Sequence, residues 1–218
     1  YISIVKIEDS AIFQGQRTLM CKHLFDKGIA GEVVLEAMIK TPRHVFLEST
    51  FHQHAYQDKA FPIAAEQTIS HPSTVAWQSE LLELKPGMKV LEIGTGCGYQ
   101  AAVLLHLGVK LFTIERQKEL FDFSKTILKA LGLRAEQKFG DGFKGMPIFA
   151  PFERIIVTCG APYVPKALLS QLTVGGIMII PVGEGTQKMV RIEKMQDGQF
   201  VQKVLGDAAF VPMLKDRE

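Results

Sequence analysis

The run Val90-Leu-Glu-Ile-Gly-Thr-Gly-Cys-Gly-Tyr-Gln100 constrains this chain more than any other stretch. Apolar strand-type residues lead straight into glycines at alternate positions, Gly94, Gly96 and Gly98, and a helix-like pattern follows at once. Strand, glycine turn and helix in that order build a nucleotide-cofactor cradle. Glycine permits the sharp turn and lets backbone come close to a ligand.

The surroundings supply the rest of such a fold. From residue 88 onward the chain alternates strand and helix patterns. Strands are expected at 90–93, 110–114, 136–139, 155–157 and 177–181, with helices at 99–107, 118–131 and 165–172 between them. This alternation predicts parallel strands joined by right-handed crossovers. Residues 189–194, the turn pair Asp197-Gly198 and residues 200–205 then read as a hairpin. Five parallel strands are therefore followed by an antiparallel pair. Upstream, residues 17–39 read as helices broken at Gly28 and Gly31, and residues 44–69 as irregular chain whose aromatics pack on a neighbouring body. A further helix starts at Pro72, with Val75, Ala76, Ser79 and Leu82 on one face, and stops at Lys85-Pro86-Gly87.

Composition removes several classes. With 218 residues, 47% hydrophobic and 22% charged, the chain has the make-up of a soluble globular protein. A net charge of +2 argues against a nucleic-acid partner. No apolar run nears the ~18 residues of a membrane span. The start, Tyr1-Ile-Ser-Ile-Val-Lys-Ile-Glu, lacks both a secretory-leader pattern and an initiator Met. Cys21, Cys97 and Cys159 are scattered and form no CxxC, so a reducing, cytoplasmic setting is expected. His52-Gln-His54 has no further ligands at metal-site spacing, and no metal is expected. Ser70-His71 lacks the G-x-S-x-G elbow of a hydrolase.

Two acidic positions extend the cradle. Glu115 closes the second strand, 21 residues after Gly94, where a carboxylate accepts hydrogen bonds from ribose hydroxyls. Asp141, between Gly140 and Gly142 after the third strand, is placed to accept from an adenine amino group. Ribose recognition alone does not choose between NAD and S-adenosylmethionine. The glycines do: the dinucleotide pattern G-x-G-x-x-G would need glycine where Tyr99 stands. An acidic residue (Glu92) followed by G-x-G-x-G resembles class I S-adenosylmethionine methyltransferases.

A longer set of matches is more specific. Val33-Leu-Glu-Ala-Met, Gln67-Thr-Ile-Ser-His-Pro72, Val90 to Leu104, Thr113-Ile-Glu-Arg116, Gly140-Asp-Gly142, Ala150-Pro-Phe152 with Ile155-Ile-Val-Thr158, Ala161-Pro162, and Leu172 to Gly183 occur in that order. Together they resemble the protein-L-isoaspartate (D-aspartate) O-methyltransferase family. The resemblance implies an α/β class I methyltransferase fold: a Rossmann-like, mostly parallel sheet with a C-terminal antiparallel hairpin and an N-terminal helical extension. Residues 1–70 would form the extension and a substrate and cofactor loop, and residues 71–218 the core, as one compact unit.

The implied activity is methyl transfer from S-adenosyl-L-methionine, leaving S-adenosyl-L-homocysteine, to the free α-carboxylate of L-isoaspartyl residues, and within the family's range D-aspartyl residues. The methyl ester then starts repair through a succinimide. Ser70 is the implied active-site serine. Thr68, Ile69, Ser70, Glu92, Gly94, Gly96, Gly98, Glu115, Arg116, Asp141 and Gly142 are the implied cofactor contacts. Isoaspartyl peptides and proteins are the implied partners of a monomer, with no nucleic acid and no membrane. One departure stands out: Ala64-Ala65-Glu66 occupies a place where the family often carries glycines, which puts that loop's shape in question. A same-fold methyltransferase with another acceptor, an NAD-dependent oxidoreductase and a non-catalytic binding module stay open as alternatives.

Overall fold

Alternation along single strands divides the core in two. In the computed structural model, which describes residues 7–218, Val90 and Glu92 face one side of the sheet while Leu91 and Ile93 face the other. The expected lack of a secretory-leader pattern falls partly on residues 1–6, which lie outside the described residues. One apolar layer gathers Val90, Leu111, Ile156 and Ile179 with the N-terminal helices. The other gathers Leu91, Ile114, Ile155 and Met178.

In chain order the described elements begin with α1 (Ala11–Asp26) and α2 (Glu32–Lys40), then two 3₁₀ turns at Arg43–Phe46 and Ser49–His54. A small antiparallel pair follows, β1 (Phe61–Pro62) with β2 (Thr68–Ile69), and then α3 (Pro72–Leu81). The main series runs β3 (Lys89–Ile93), α4 (Tyr99–His106), β4 (Lys110–Glu115), α5 (Lys118–Ala130), β5 (Glu136–Phe139), β6 (Phe152–Val157), α6 (Lys166–Ser170), β7 (Leu172–Val182), β8 (Gln187–Lys194) and β9 (Phe200–Ala208). The seven-stranded sheet has the order β5-β4-β3-β6-β7-β8-β9. Its first five strands pair in parallel, and β8 and β9 add antiparallel. The expected five-plus-two arrangement is what the sheet adopts.

Boundaries moved where local signals were weak or overridden. The first helix starts at Ala11, earlier than 17, because Ser10 caps it: its hydroxyl accepts from the Phe13 amide. Residues 44–69 are less irregular than expected, with 3₁₀ turns and the β1–β2 pair. Their aromatics do pack inward, Phe46 edge-on against Tyr99 and Phe51 against Phe61. The helix expected over 165–172 is only Lys166–Ser170, because Leu172 already pairs with Phe152 in the sheet. β7 runs straight through Gly175-Gly176, which were expected to precede it. Gly175 adopts φ +73° there, and the register with β6 shifts alongside.

Candidate active site

The carboxyl ends of β4, β3 and β6 lie side by side, and the loops leaving them enclose one cavity. Its floor is the glycine turn after β3. Gly94 adopts φ +94°, and a Cβ there would sit 2.8 Å from the Thr158 hydroxyl oxygen. That hydroxyl donates to the Gly94 carbonyl at 2.6 Å. Backbone conformation and lack of space both require glycine at this position.

Glu115 ends β4 at the cavity wall, almost fully buried. Its Oε2 accepts from the Gly96 amide at 2.7 Å, and Oε1 accepts from the Arg116 and Gln117 amides at 2.8 and 2.9 Å. The carboxylate thus locks the glycine turn to the neighbouring strand and remains beside the space a ribose would fill. Gly142 forms another part of the wall, and a Cβ on it would meet Ile93 Cγ2 at 2.5 Å.

Thr68, Ile69 and Ser70 also line the cavity. The β1–β2 hairpin carries them there. Its turn holds Ala65 and Glu66 at φ +55° and +56°, so Ala64-Ala65-Glu66 keeps a glycine-like shape without glycine. Gln67 Nε2 donates to the Ala65 carbonyl at 3.0 Å, and the Ile63 amide to the Gln67 carbonyl at 2.9 Å. These bonds hold a turn that costs about 1–2 kcal/mol for each such residue.

Arg116 also lines the cavity, but its guanidinium turns to the chain's end, donating to the Asp216 carbonyl at 3.1 Å and to Glu218 at 2.9 Å. Three of the expected contact residues do not line it. Glu92 points into the opposite layer, fully buried, because its neighbour Ile93 takes the cavity face. Its Oε2 lies 2.6 Å from the Thr113 hydroxyl, itself 2.6 Å from the Thr95 hydroxyl, so it reaches the cavity only through two threonines. Burial pushes the Glu92 carboxyl up to about 8, against the bond from Thr113 and with the charge of Glu115. Gly98 sits behind the floor as the N-cap of α4, at φ +93° and close to Ser124. Asp141 lines a neighbouring depression with Lys144 and Asp216, and its side chain accepts from the Phe143 amide at 2.9 Å.

The cavity also recruits residues the sequence did not mark. Thr95, Cys97, Gln100, Thr158, Cys159 and residues 211–214 line it. Gln100 donates to Ser79 Oγ at 2.9 Å, while its Oε1 is buried with no hydrogen-bond partner among the described residues. Nothing local in the sequence says that residues 211–214 reach the glycine turn. Burial pushes the Cys97 thiol up to about 11, and the Cys159 thiol rises too. Neither offers a thiolate nucleophile near neutral pH. His52 and His54 take structural partners instead, the Leu47 carbonyl at 3.2 Å and Gln57 at 3.0 Å.

Comparison with known proteins places this architecture. Residues 15–218 match the family model described as Protein-L-isoaspartate(D-aspartate) O-methyltransferase. A protein-L-isoaspartate O-methyltransferase of Cytophaga hutchinsonii is 54% identical over 95% of each chain. One of Methanopyrus kandleri is 44% identical, again over 95% of each. A solved protein-L-isoaspartate O-methyltransferase superposes with a TM-score of 0.83 at 28% identity, covering 90% of this chain and 65% of that one. A Plasmodium falciparum structure, described as a protein of the same kind in complex with S-adenosyl-L-homocysteine, shares the fold with a TM-score of 0.79 at 24% identity, over 90% and 97%. A family model spanning nearly the whole chain, together with relatives at this identity, settles the affiliation: the chain belongs to the protein-L-isoaspartate(D-aspartate) O-methyltransferase family.

Proposed function

We propose that this enzyme transfers a methyl group from S-adenosylmethionine to the free α-carboxylate of L-isoaspartyl residues, D-aspartyl residues being the second acceptor the family name carries. The observation that carries the proposal is a conjunction. The Thr68–Ser70 edge, the glycine turn and the Glu115 carboxylate face one cavity.

The residues present suit the cofactor. A side-chain-free floor at Gly94 and Gly96 leaves room for the methionine portion, and Glu115 stands where ribose hydroxyls need an acceptor. Gly142 leaves a flat wall for adenine, and the unpaired Gln100 Oε1 offers a further acceptor. Bound there, S-adenosylmethionine supplies an electrophilic methyl group on a sulfonium sulfur.

The chain's own task is placement. A carboxylate acceptor titrates at about pH 3–4 and is anionic near neutrality, so no general base is needed. The enzyme has to hold the carboxylate in line with the methyl group and keep water out. Ser70, half-buried at the cavity wall, donates a hydrogen bond to the acceptor carboxylate and orients it. The protonated Cys97 and Cys159 stay out of the reaction as nucleophiles. The next backbone nitrogen afterwards attacks the ester carbonyl, the C–OCH3 bond breaks, and methanol leaves with the amide proton as the succinimide closes, a step that needs no enzyme. The three free thiols suit a reducing cytoplasm.

The test is product mapping. After incubation with S-adenosylmethionine and an isoaspartyl peptide, mass spectrometry should place a base-labile methyl ester on the isoaspartyl α-carboxylate. A methyl group on any other atom overturns the proposal.

A further inference from the structure

The chain crosses the cofactor cavity once more after its last strand. β9 ends at Ala208, and residues 211–214 then pass over the cavity before the chain reaches Arg116. The crossing is fastened at both ends. At the near end the Gly160 amide donates to the Val211 carbonyl at 2.8 Å, and the Met213 amide donates to the Gly160 carbonyl at 2.8 Å. At the far end the Glu218 amide donates to the Arg116 carbonyl and the Lys118 amide to the Glu218 carbonyl, at 2.9 and 2.8 Å. The Arg116 guanidinium adds bonds to Asp216 and Glu218.

These fasteners are not scattered. Gly160 follows β6 and Arg116 follows β4, the two strands that flank β3 in the sheet. A segment tied to both must bridge the glycine turn that leaves β3. It runs from the Gly94 side, where Cys159 is a neighbour, to the Glu115 side, where the proposed cofactor's ribose would lie.

Gln187 sets where the bridge begins. Its buried amide donates to the Phe210 carbonyl at 3.0 Å and accepts from the Phe210 amide at 2.8 Å. One side chain thus takes both backbone groups of the residue at which the chain turns onto the cavity. Gly160 makes room for it: a Cβ there would fall 2.2 Å from Gln187 Nε2. A buried primary amide needs partners for both its groups, and Phe210 supplies them.

We infer that residues 210–218 form a strap that retains the cofactor, and that Gln187 is the positioning residue that fixes it. The inference rests on the proposed S-adenosylmethionine site. Gln187→Met keeps side-chain length and removes both hydrogen bonds, and Gln187→Asn keeps the amide but shortens its reach. Either change loosens the near end, leaving only the two Gly160 backbone bonds there, while Glu115 and the glycine turn remain intact. Calorimetry and stopped-flow with S-adenosylhomocysteine should show affinity about tenfold weaker and dissociation faster, as expected for two lost buried hydrogen bonds. The KM for S-adenosylmethionine should rise while kcat changes less than threefold.

Hydrogen exchange separates a strap from general loosening. In the unaltered protein, S-adenosylhomocysteine should slow exchange at the Met213 and Glu218 amides. In Gln187→Met, exchange at Gly160 and Met213 should quicken while the β3 amides keep their protection. Unchanged affinity in both variants, no ligand protection of the 211–218 amides, or quickened exchange in β3 as well would overturn the strap. If the unaltered protein binds no S-adenosylhomocysteine, the cofactor assignment itself fails, and the strap with it.

Discussion

Ser70 and Glu92 show how differently single residues serve this site. Ser70 lines the cavity, and in the role proposed for it one hydrogen bond to a charged acceptor would be its whole chemical contribution. Such a bond is worth ~1–2 kcal/mol, so Ser70→Ala should lower kcat/KM for the isoaspartyl peptide roughly five- to thirtyfold. S-adenosylhomocysteine affinity, read by calorimetry, should stay within about twofold, because Ser70 acts on the acceptor. Glu92 never meets the cavity, and its buried carboxyl is held near pH 8 against an ordinary value of 4.5. Between those values the unfolded chain gives up the proton and the folded chain keeps it. The contribution of this group to stability is therefore complete below about pH 4.5, falls as pH rises, and levels off above about 8. Glu92→Gln removes that loss. Its melting temperature relative to the unaltered protein should climb steadily from pH 5 to pH 8 in calorimetric scans, and a difference independent of pH would refute the assignment. The G-x-G-x-G motif signalled an acid at 92, but the motif does not say which face of the strand carries it. Alternation with Ile93 decides that.

At the level of elements, glycine and strand patterns were the most legible. The turn after β3, its Glu115 partner and the five parallel strands could be read because each depends on residues close together in sequence. Glycine at a tight turn and apolar runs in a strand buried on both faces are local requirements. Elements built on distant pairing were not legible. β7 extends through Gly175-Gly176 because β6 pairs with its early residues, and β1–β2 is two residues per strand, too short for any period. The Ala64-Ala65-Glu66 turn was read as a departure, yet its left-handed backbone keeps the shape glycines would give. Steric room separates two kinds of glycine. Gly142→Ala drives a methyl group to 2.5 Å from Ile93 and 3.2 Å from Met213, so it should cost about 1–3 kcal/mol and weaken S-adenosylhomocysteine binding at least tenfold. Gly132→Ala meets nothing within 4 Å and pays only for φ +73°, so it should lower stability by about 1 kcal/mol and leave binding unchanged. Thermal melts and calorimetry on the pair measure both effects.

Across the whole molecule, the N-terminal helices, the parallel core and the chain's end all converge on the carboxyl edge of the sheet. The first cover one face of it, the second supplies the glycine turn, and the last crosses above it. The closing segment could not be found by local inspection, since Gln187 reaches Phe210 23 residues on and Gly160 meets Val211 across a whole β-ribbon. The overall arrangement is that of an enzyme whose power lies in bringing a carboxylate that needs no activation to a fixed methyl donor. Such a site should discriminate by where the carboxylate sits on the peptide backbone, not by its acidity. The most direct measurement is kcat/KM for methyl transfer from labelled S-adenosylmethionine to two peptides of one sequence, differing only in an isoaspartyl or a normal aspartyl linkage. The account predicts labelling of the isoaspartyl peptide at least a hundredfold faster, with Ser70→Ala reducing that rate, in line with a positioned acceptor. Equal labelling of the two peptides, or none of either by a protein that binds S-adenosylhomocysteine, would contradict it.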